Sequence, residues 1–517
     1  MALGTALSRL TGFLRIVALA YALGINHLSD AYNLANNTPN IVYDLVAGGV
    51  LSATLVPVFV EKRTAGTGED ADRAMSAVLT IAASVLIAAS VVLLVLAPTV
   101  IDLYTVGSHA PGIAGTRSAA VSLLRWFAPQ VLLYGMCTLA TAVLNARKVF
   151  APPMFVPVLN NLVSIFMLVA VAIAFHHPSL ITSQRHHSLI VLLGAGTTAG
   201  VLVQAVALVP SLRRCGAHLR WTWAPRHPAV RQVVALSGWT FGFVMANQLA
   251  YFVVLALATH IGTGAPTAYT YAYTFFQLPY GIVAVSVMTA VQPDLAEAWI
   301  HRNLAAFRQR LARAFTSIMA VVVPAAAGLL ALSGPVVALV LGHGAANPAA
   351  TLPTSGALAM LALGLPGFCA FLLLMRAFQA MQDTRSVFRL YLWENGVNVI
   401  TALALYRPMG VKGLALSMSI AYSVASLIAA AQVALPLGGL DGWRVVRPVI
   451  RVVVLSVSTG GVAFLVQRAI GSDSGIGLLV RVATAVGAGV SFFLVGSVGA
   501  VMARERNRTP RGPSEGR

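Results

Sequence analysis

Along this chain, runs of mostly apolar residues alternate with short polar connections, and each run is about the 20 residues needed to cross the hydrocarbon core of a bilayer. Cut at those connections, the sequence predicts about fourteen spanning helices, at 4–27, 30–60, 74–103, 117–145, 151–175, 188–210, 229–261, 266–293, 311–342, 353–380, 386–406, 411–436, 446–469 and 476–503. The expected fold class is an all-α polytopic membrane protein.

Composition narrows this further. Of 517 residues, 58% are hydrophobic and 9% charged, whereas a soluble domain carries about 25% charged residues. The net charge of +19 would suit nucleic acid, but most basic residues stand in short loops between apolar runs, so no nucleic-acid partner is expected. Lys62, Arg63 and Arg73, then Arg147 and Lys148, then Arg213, Arg214, Arg220, Arg226 and Arg231 occupy alternate loops. The intervening loops hold isolated cations such as Arg117, Arg185 and Lys412. Basic loops stay on the cytoplasmic side, which predicts both termini inside. No small-residue cleavage site follows a short apolar run, so no removable signal peptide is expected. Cys137, Cys215 and Cys369 lie far apart and suggest neither a disulfide framework nor a metal cluster.

The chain also echoes itself. Ala31-Tyr32, Pro39-Asn40 and Val56-Pro57 are answered by Ala268-Tyr269, Pro279-Tyr280 and Gln292-Pro293. Asn145-Ala146 with Asn160 and Asn161 beyond is answered by Gln379-Ala380 with Asn395 and Asn398 beyond. The offset is about six spans, and an even number per unit gives two units of the same orientation. The expected units are an N-terminal lobe of six helices over 1–228 and a C-terminal lobe over 229–437. Two further helices over 438–503 and a basic, disordered cytoplasmic tail over 504–517 complete the chain. Two lobes around a cavity are the usual architecture of alternating-access transporters.

Charges at membrane depth are the first functional candidates, because each costs at least about 2.5–3.5 kcal/mol on a lipid-facing surface. Arg9, Arg15, Asp30 and Asp44 qualify. Ser8-Arg9-x-x-Gly12-x-x-Arg15, Asp30-Ala31-Tyr32, Pro39-Asn40 and Val56-Pro57-Val58-Phe59 together resemble the start of the MurJ/MviN family of lipid II flippases, within the multidrug/oligosaccharidyl-lipid/polysaccharide exporter superfamily. The similarity continues through Leu144-Asn145-Ala146, Phe276-Gln277-Leu278-Pro279 and Arg376-Ala377-Phe378. The resemblance implies two lobes in a V and export of a peptidoglycan precursor linked to undecaprenyl diphosphate. It also implies contact with membrane lipids and with cell-wall synthesis proteins. The chain departs from the family pattern at Tyr43, Asp44 and Ala47-Gly48-Gly49, and at Tyr273, Thr274 and Gln277 in the eighth span, where many members carry charges.

A diphosphate suits arginine, whose planar fork donates paired hydrogen bonds to phosphate oxygens. Arg9 and Arg15, with Asn40 and Asn160, are the expected substrate-binding residues. For Arg9 a snorkelling anchor competes with that role, and for the amides a helix-joining role does. Asp30 is either a plain helix N-cap or a gate or Arg-pairing residue. Asp44 is either a protonatable coupling residue or an Arg partner. Pro39, Gly48 and Pro279 mark bends in gating helices or static packing features. Glu394, Asn395 and Asn398 form an oxygen-rich cluster of the kind that holds hard cations, offering a monovalent-cation site, with membrane-potential coupling as the alternative. No other cofactor is expected. No nucleophile with a base, phosphate loop or metal-ligand spacing points to an enzyme. The rival readings are an exporter of another polyprenyl-linked glycan or of drugs, and a non-transporting scaffold in cell-wall assembly.

Overall fold

The computed structural model describes residues 2–48, 68–215, 220–346, 349–439, 442–471 and 475–506. Val56-Pro57-Val58-Phe59, Gly49, Lys62, Arg63 and most of the basic tail lie outside them. The regular secondary structure of the described residues is all helical, without a strand. The helices are α1 Ala2–Leu23, α2 His27–Tyr43, α3 Gly68–Val95, α4 Ala97–Thr105, α5 Ile113–Phe127, α6 Gln130–Ala146, α7 Ala151–Phe175, α8 Leu180–Arg185 and α9 His187–Arg214. They continue as α10 Pro228–Ile261, α11 Ala265–Pro279, α12 Val285–Ile300, α13 Leu304–Leu341, α14 Leu352–Ala380, α15 Thr384–Met409, α16 Val411–Leu437, α17 Gly442–Ile470 and α18 Gly475–Arg506.

A helix stands at each run predicted from the apolar pattern. Among the described residues, 11 helical stretches are long and apolar enough to cross a membrane. α1, α2 and α15 are not among them, and these three bring Arg15, a row of amides and Glu394 to the central cavity described below. Their polarity belongs to the face they turn inward. The protein is a multi-pass membrane protein.

Two of the paired segments share local geometry. α6 ends where Lys148 N–H donates to Asn145 O and Val149 N–H to Leu144 O, with Lys148 at φ 61°. α14 ends the same way: Gln382 N–H donates to Gln379 O, Asp383 N–H to Phe378 O, and Gln382 has φ 60°. This paired bond pattern satisfies the orphan carbonyls of a helix C-terminus and turns the chain sharply into the next helix. Further, α2 passes into a π-helical turn at Asp44–Gly48, and α11 into one at Tyr280–Ala284 directly after Pro279. Such wide turns leave the regular backbone ladder and often sit at functional positions.

Packing is closest within each half. In the C-terminal half, α14 meets α16 through small residues: a Cβ on Gly364 would lie 2.5 Å from Ser419 Cα, and one on Gly367 2.9 Å from Ser423 Cα. Without a hydrophobic driving force in lipid, such close backbone approach is what holds spanning helices together. In the N-terminal half, Gly200 of α9 lies against Asn160 of α7 in the same manner. Between the halves, α2 touches α11, α1 touches α11 and α13, and α10 crosses α3 and α4.

Candidate functional site

Between the halves lies a cavity of about 460 Å³. α2 supplies Asn33, Asn36, Asn37 and Asn40, and the π turn that follows it Asp44, spaced so that all line one face. α11 faces it with Tyr269, Tyr273 and Gln277 at successive turns. α1 adds Arg15, α10 adds Asn247, Gln248 and Tyr251, and α15 adds Glu394, Asn395 and Asn398. A second cavity of about 520 Å³ opens between α1, α7 and α11 and is lined by Arg9 and Arg15 together. Arg15, Ile16, Thr274 and Gln277 belong to both spaces. The two arginines therefore share a wall, as their spacing on one helix allows, and Arg15 stands where the two cavities adjoin.

Neither arginine forms an ion pair among the described residues. Arg9 is exposed and its Nη1 donates to Gln277 Oε1 at 3.4 Å. Arg15 is half-buried and lies beside Tyr32 and Tyr134. Without a carboxylate partner each guanidinium keeps an unneutralised positive charge facing the cavity.

Asp30 is neither the cap of its own helix nor the partner of an arginine among the described residues. The cap of α2 is Asn26, whose side chain accepts from Leu28 and Ser29 N–H while Ser29 Oγ accepts from Asn26 N–H. No arginine reaches Asp30 among the described residues. Instead its carboxylate, 3% exposed, crosses to the other half and accepts from Gly264 N–H at 2.6 Å, Thr267 N–H at 3.1 Å and the Thr267 hydroxyl at 2.6 Å. Gly264 is the N-cap position of α11, where orphan N–H groups and the helix dipole favour an anion. Asp30 thus caps a helix of the opposite half. Around it, Asn33 Nδ2 donates to Thr267 Oγ1 at 3.2 Å, and His27 lies 3.0 Å from both Thr116 Oγ1 and Thr263 Oγ1. At the same end, Ala345 N–H donates to Tyr21 O.

Asp44, at the start of the π turn, is also not bound to arginine: its Oδ2 accepts from Gln248 Nε2 at 2.8 Å, again between halves. Asn40 lines the cavity and donates to Asn36 O. Asn160 does not line it; it is buried between α7 and α9 beside Gly200, and its Oδ1 has no hydrogen-bond partner. Asn161 Nδ2 ties α7 to Ser8 O and Thr11 Oγ1 of α1. Pro39 is buried in α2 one turn before its π segment, which Gly48 closes.

In the C-terminal half, Glu394 is 1% exposed and its Oε2 has no partner. Asn395 Nδ2 donates to Asn247 Oδ1 at 2.6 Å, and Asn398 Oδ1 accepts from Ser417 Oγ at 2.9 Å. The cavity wall of this half is therefore tyrosine and amide with one acid, consistent with the uncharged residues at 273, 274 and 277. Sequence reasoning passed over Asn247, Gln248 and Tyr251. The paired amides in an otherwise apolar run were the available signal, since polar groups at that depth are costly unless they face protein or water. Among the described residues no cluster of three metal-ligating side chains occurs.

The family model described as Lipid II flippase MurJ matches residues 19–481. Lipid II flippase MurJ of Burkholderia cenocepacia is 28% identical over 432 residues, covering 82% of this chain and 80% of that protein. A probable lipid II flippase MurJ of Rhizobium tropici is 28% identical over 526 residues, covering 98% and 95%. Among solved structures, a lipid II flippase MurJ in an inward closed conformation superimposes with a TM-score of 0.78 at 22% identity, covering 98% and 99% of the two chains. An inward-facing MATE family multidrug transporter follows the same fold with a TM-score of 0.69 at 14% identity, covering 84% and 98%. With its family model spanning most of its length, the chain belongs to the lipid II flippase MurJ family.

Proposed function

We propose that this protein is a lipid II flippase, carrying the undecaprenyl-diphosphate-linked precursor from the inner to the outer leaflet of the bacterial plasma membrane by alternating access. The observation that carries this reading is Arg15, a guanidinium with no carboxylate partner among the described residues at the junction of two polar cavities between the halves. Arg9 and Arg15 bind the diphosphate, and Asn40 and the amides of α2 contact the sugar or peptide. Asn160, away from the cavity, holds Arg15's surroundings in shape. It is a transporter, not an enzyme.

The moving parts are two lobes, 1–228 and 229–437, with 438–503 guiding the lipid tail and 504–517 a cytoplasmic basic tail. An even number of spans, about fourteen, and the basic loops support a topology with both termini inside. Asp30 on α11 and Asp44 on Gln248 then form the outer and central latches between lobes, and the π turns beside Pro39 and Pro279 supply the pliable points. Glu394, Asn395 and Asn398, with Asn247, offer oxygen ligands to a monovalent cation or a carboxyl to a proton, which couples the cycle to the ion gradient.

Native mass spectrometry of the purified protein with lipid II, undecaprenyl phosphate and a bulk anionic phospholipid tests the substrate assignment. Lipid II should be retained selectively, and Arg15→Ala should remove that selectivity. Equal retention of all three lipids by the wild type would overturn it.

A further inference from the structure

A second lipid-facing feature lies outside the central cavity. The segment joining the halves returns along α3 in extended form: Arg220 N–H donates to Ser76 Oγ at 3.1 Å and Thr222 N–H to Thr80 Oγ1 at 2.9 Å. Ser76 and Thr80 are one helical turn apart, so two hydroxyls of α3 act as rungs for the extended chain. This leaves Trp221 67% and Trp223 65% exposed. Indole side chains in such a position suit the level of lipid headgroups, where one end is apolar and the other wet.

Beneath Trp221 a groove of about 230 Å³ runs between α3 and α6. Its walls are apolar, with Leu79, Ala83, Met136 and Leu139. It is smaller than the roughly 300 Å³ that a drug-sized molecule needs. Its polar end is marked by Arg220 and Ser76, and the exposed Arg73 stands one turn before Ser76. Glu69, Asp70 and Asp72 stand earlier on α3, at the helix start that acids favour. From Val106 through Pro293 the sequence holds no acid at all, so neither α6 nor the joining segment opposes an anion.

We infer that the groove between α3 and α6 is a binding site for one anionic phospholipid of the bilayer, with an acyl chain along Leu79, Ala83 and Leu139, the phosphate at Arg220 and Trp221 over the glycerol level. The occupied site pins the joining segment to the N-terminal half and to the membrane. It is separate from the arginine pair and does not depend on which substrate the central cavity carries.

The test uses the full-length protein in nanodiscs with lipids brominated on the acyl chain, reading the Trp221 emission as the difference between wild type and Trp221→Phe. Brominated phosphatidylglycerol should quench that emission more strongly than brominated phosphatidylcholine at equal mole fraction. Arg220→Gln should weaken the anionic preference about fivefold, the step expected for one basic side chain at an anionic surface. Ala83→Phe, which fills the groove, should abolish the preference while circular dichroism and melting stay unchanged. Equal quenching by both lipids, or a preference that survives both substitutions in folded protein, would overturn the site. So would protection of Trp221 from every brominated lipid by a copurifying protein.

Discussion

Asp30, near the start of α2, accepts the hydroxyl of Thr267 at 2.6 Å across 237 residues of sequence. With Gly264 and Thr267 N–H also on its oxygens, one carboxylate serves as the N-terminal cap of a helix in the other half. Bonds to a charged acceptor contribute about 1.5–3 kcal/mol each, so this contact helps hold α2 and α11 together, and as a latch it would favour closure of that end of the cavity.

Asp30→Asn therefore shifts the balance toward opening. The amide nitrogen would meet an N–H donor, and losing about 1.5–3 kcal/mol corresponds to a roughly ten- to hundredfold change in the ratio of closed to open states. Labelling of Thr270→Cys, which lies in the central cavity, by a membrane-impermeant maleimide added outside should be faster in the Asp30→Asn background. An unchanged rate would remove Asp30 from the latch.

The Asp44–Gln248 bond makes a paired expectation. Gln248→Leu leaves a half-buried carboxylate without its donor, which costs about 1–3 kcal/mol. Replacing both residues by leucine removes donor and acceptor together and should restore most of the loss. Melting midpoints of the two single variants and the double variant in detergent decide this; additive losses would show that the two groups do not interact.

Glu394→Gln should separate stability from activity. An unpartnered buried carboxylate oxygen is a cost to the fold, so the neutral amide should melt at the same temperature or higher. Transport driven by an ion gradient should fall at least tenfold. A variant with full transport would exclude Glu394 from coupling.

Helix crossings in lipid give a fourth test. Gly364→Ala puts a methyl against Ser419 Oγ and 2.5 Å from its Cα, so overpacking should cost about 1–3 kcal/mol. Gly328→Ala meets nothing within 4 Å and should be neutral or stabilising by about 0.5–1 kcal/mol through helix propensity. Thermal unfolding of both variants checks the contrast.

Most of the spans were legible because a bilayer demands long apolar runs. The bond from Asp30 to Thr267 was not legible. Local spacing shows partners three or four residues apart, which suggested a cap for Asp30's own helix, whereas Asn26 already fills that place. Asp44 and Gln248 were hidden for the same reason. Asn160 looked like Asn40 in sequence, yet α7 turns it toward α9 and α2 turns Asn40 toward the cavity. Orientation about a helix axis depends on tertiary packing that a stretch of apolar neighbours does not specify. The π turns had a partial signal in Pro39 and Pro279, although a proline alone marks a bend without telling its form.

The central claim is that this chain moves lipid II using Arg15. The most direct measurement is the amount of lipid II exposed on the outer leaflet of cells depleted of their own flippase, with wild type, Arg15→Lys or Arg15→Ala expressed at equal abundance. The wild type should restore exposure, Arg15→Lys should restore part of it because a point charge replaces the fork, and Arg15→Ala should restore none. Exposure restored equally by Arg15→Ala, or not restored by the wild type, would contradict the claim.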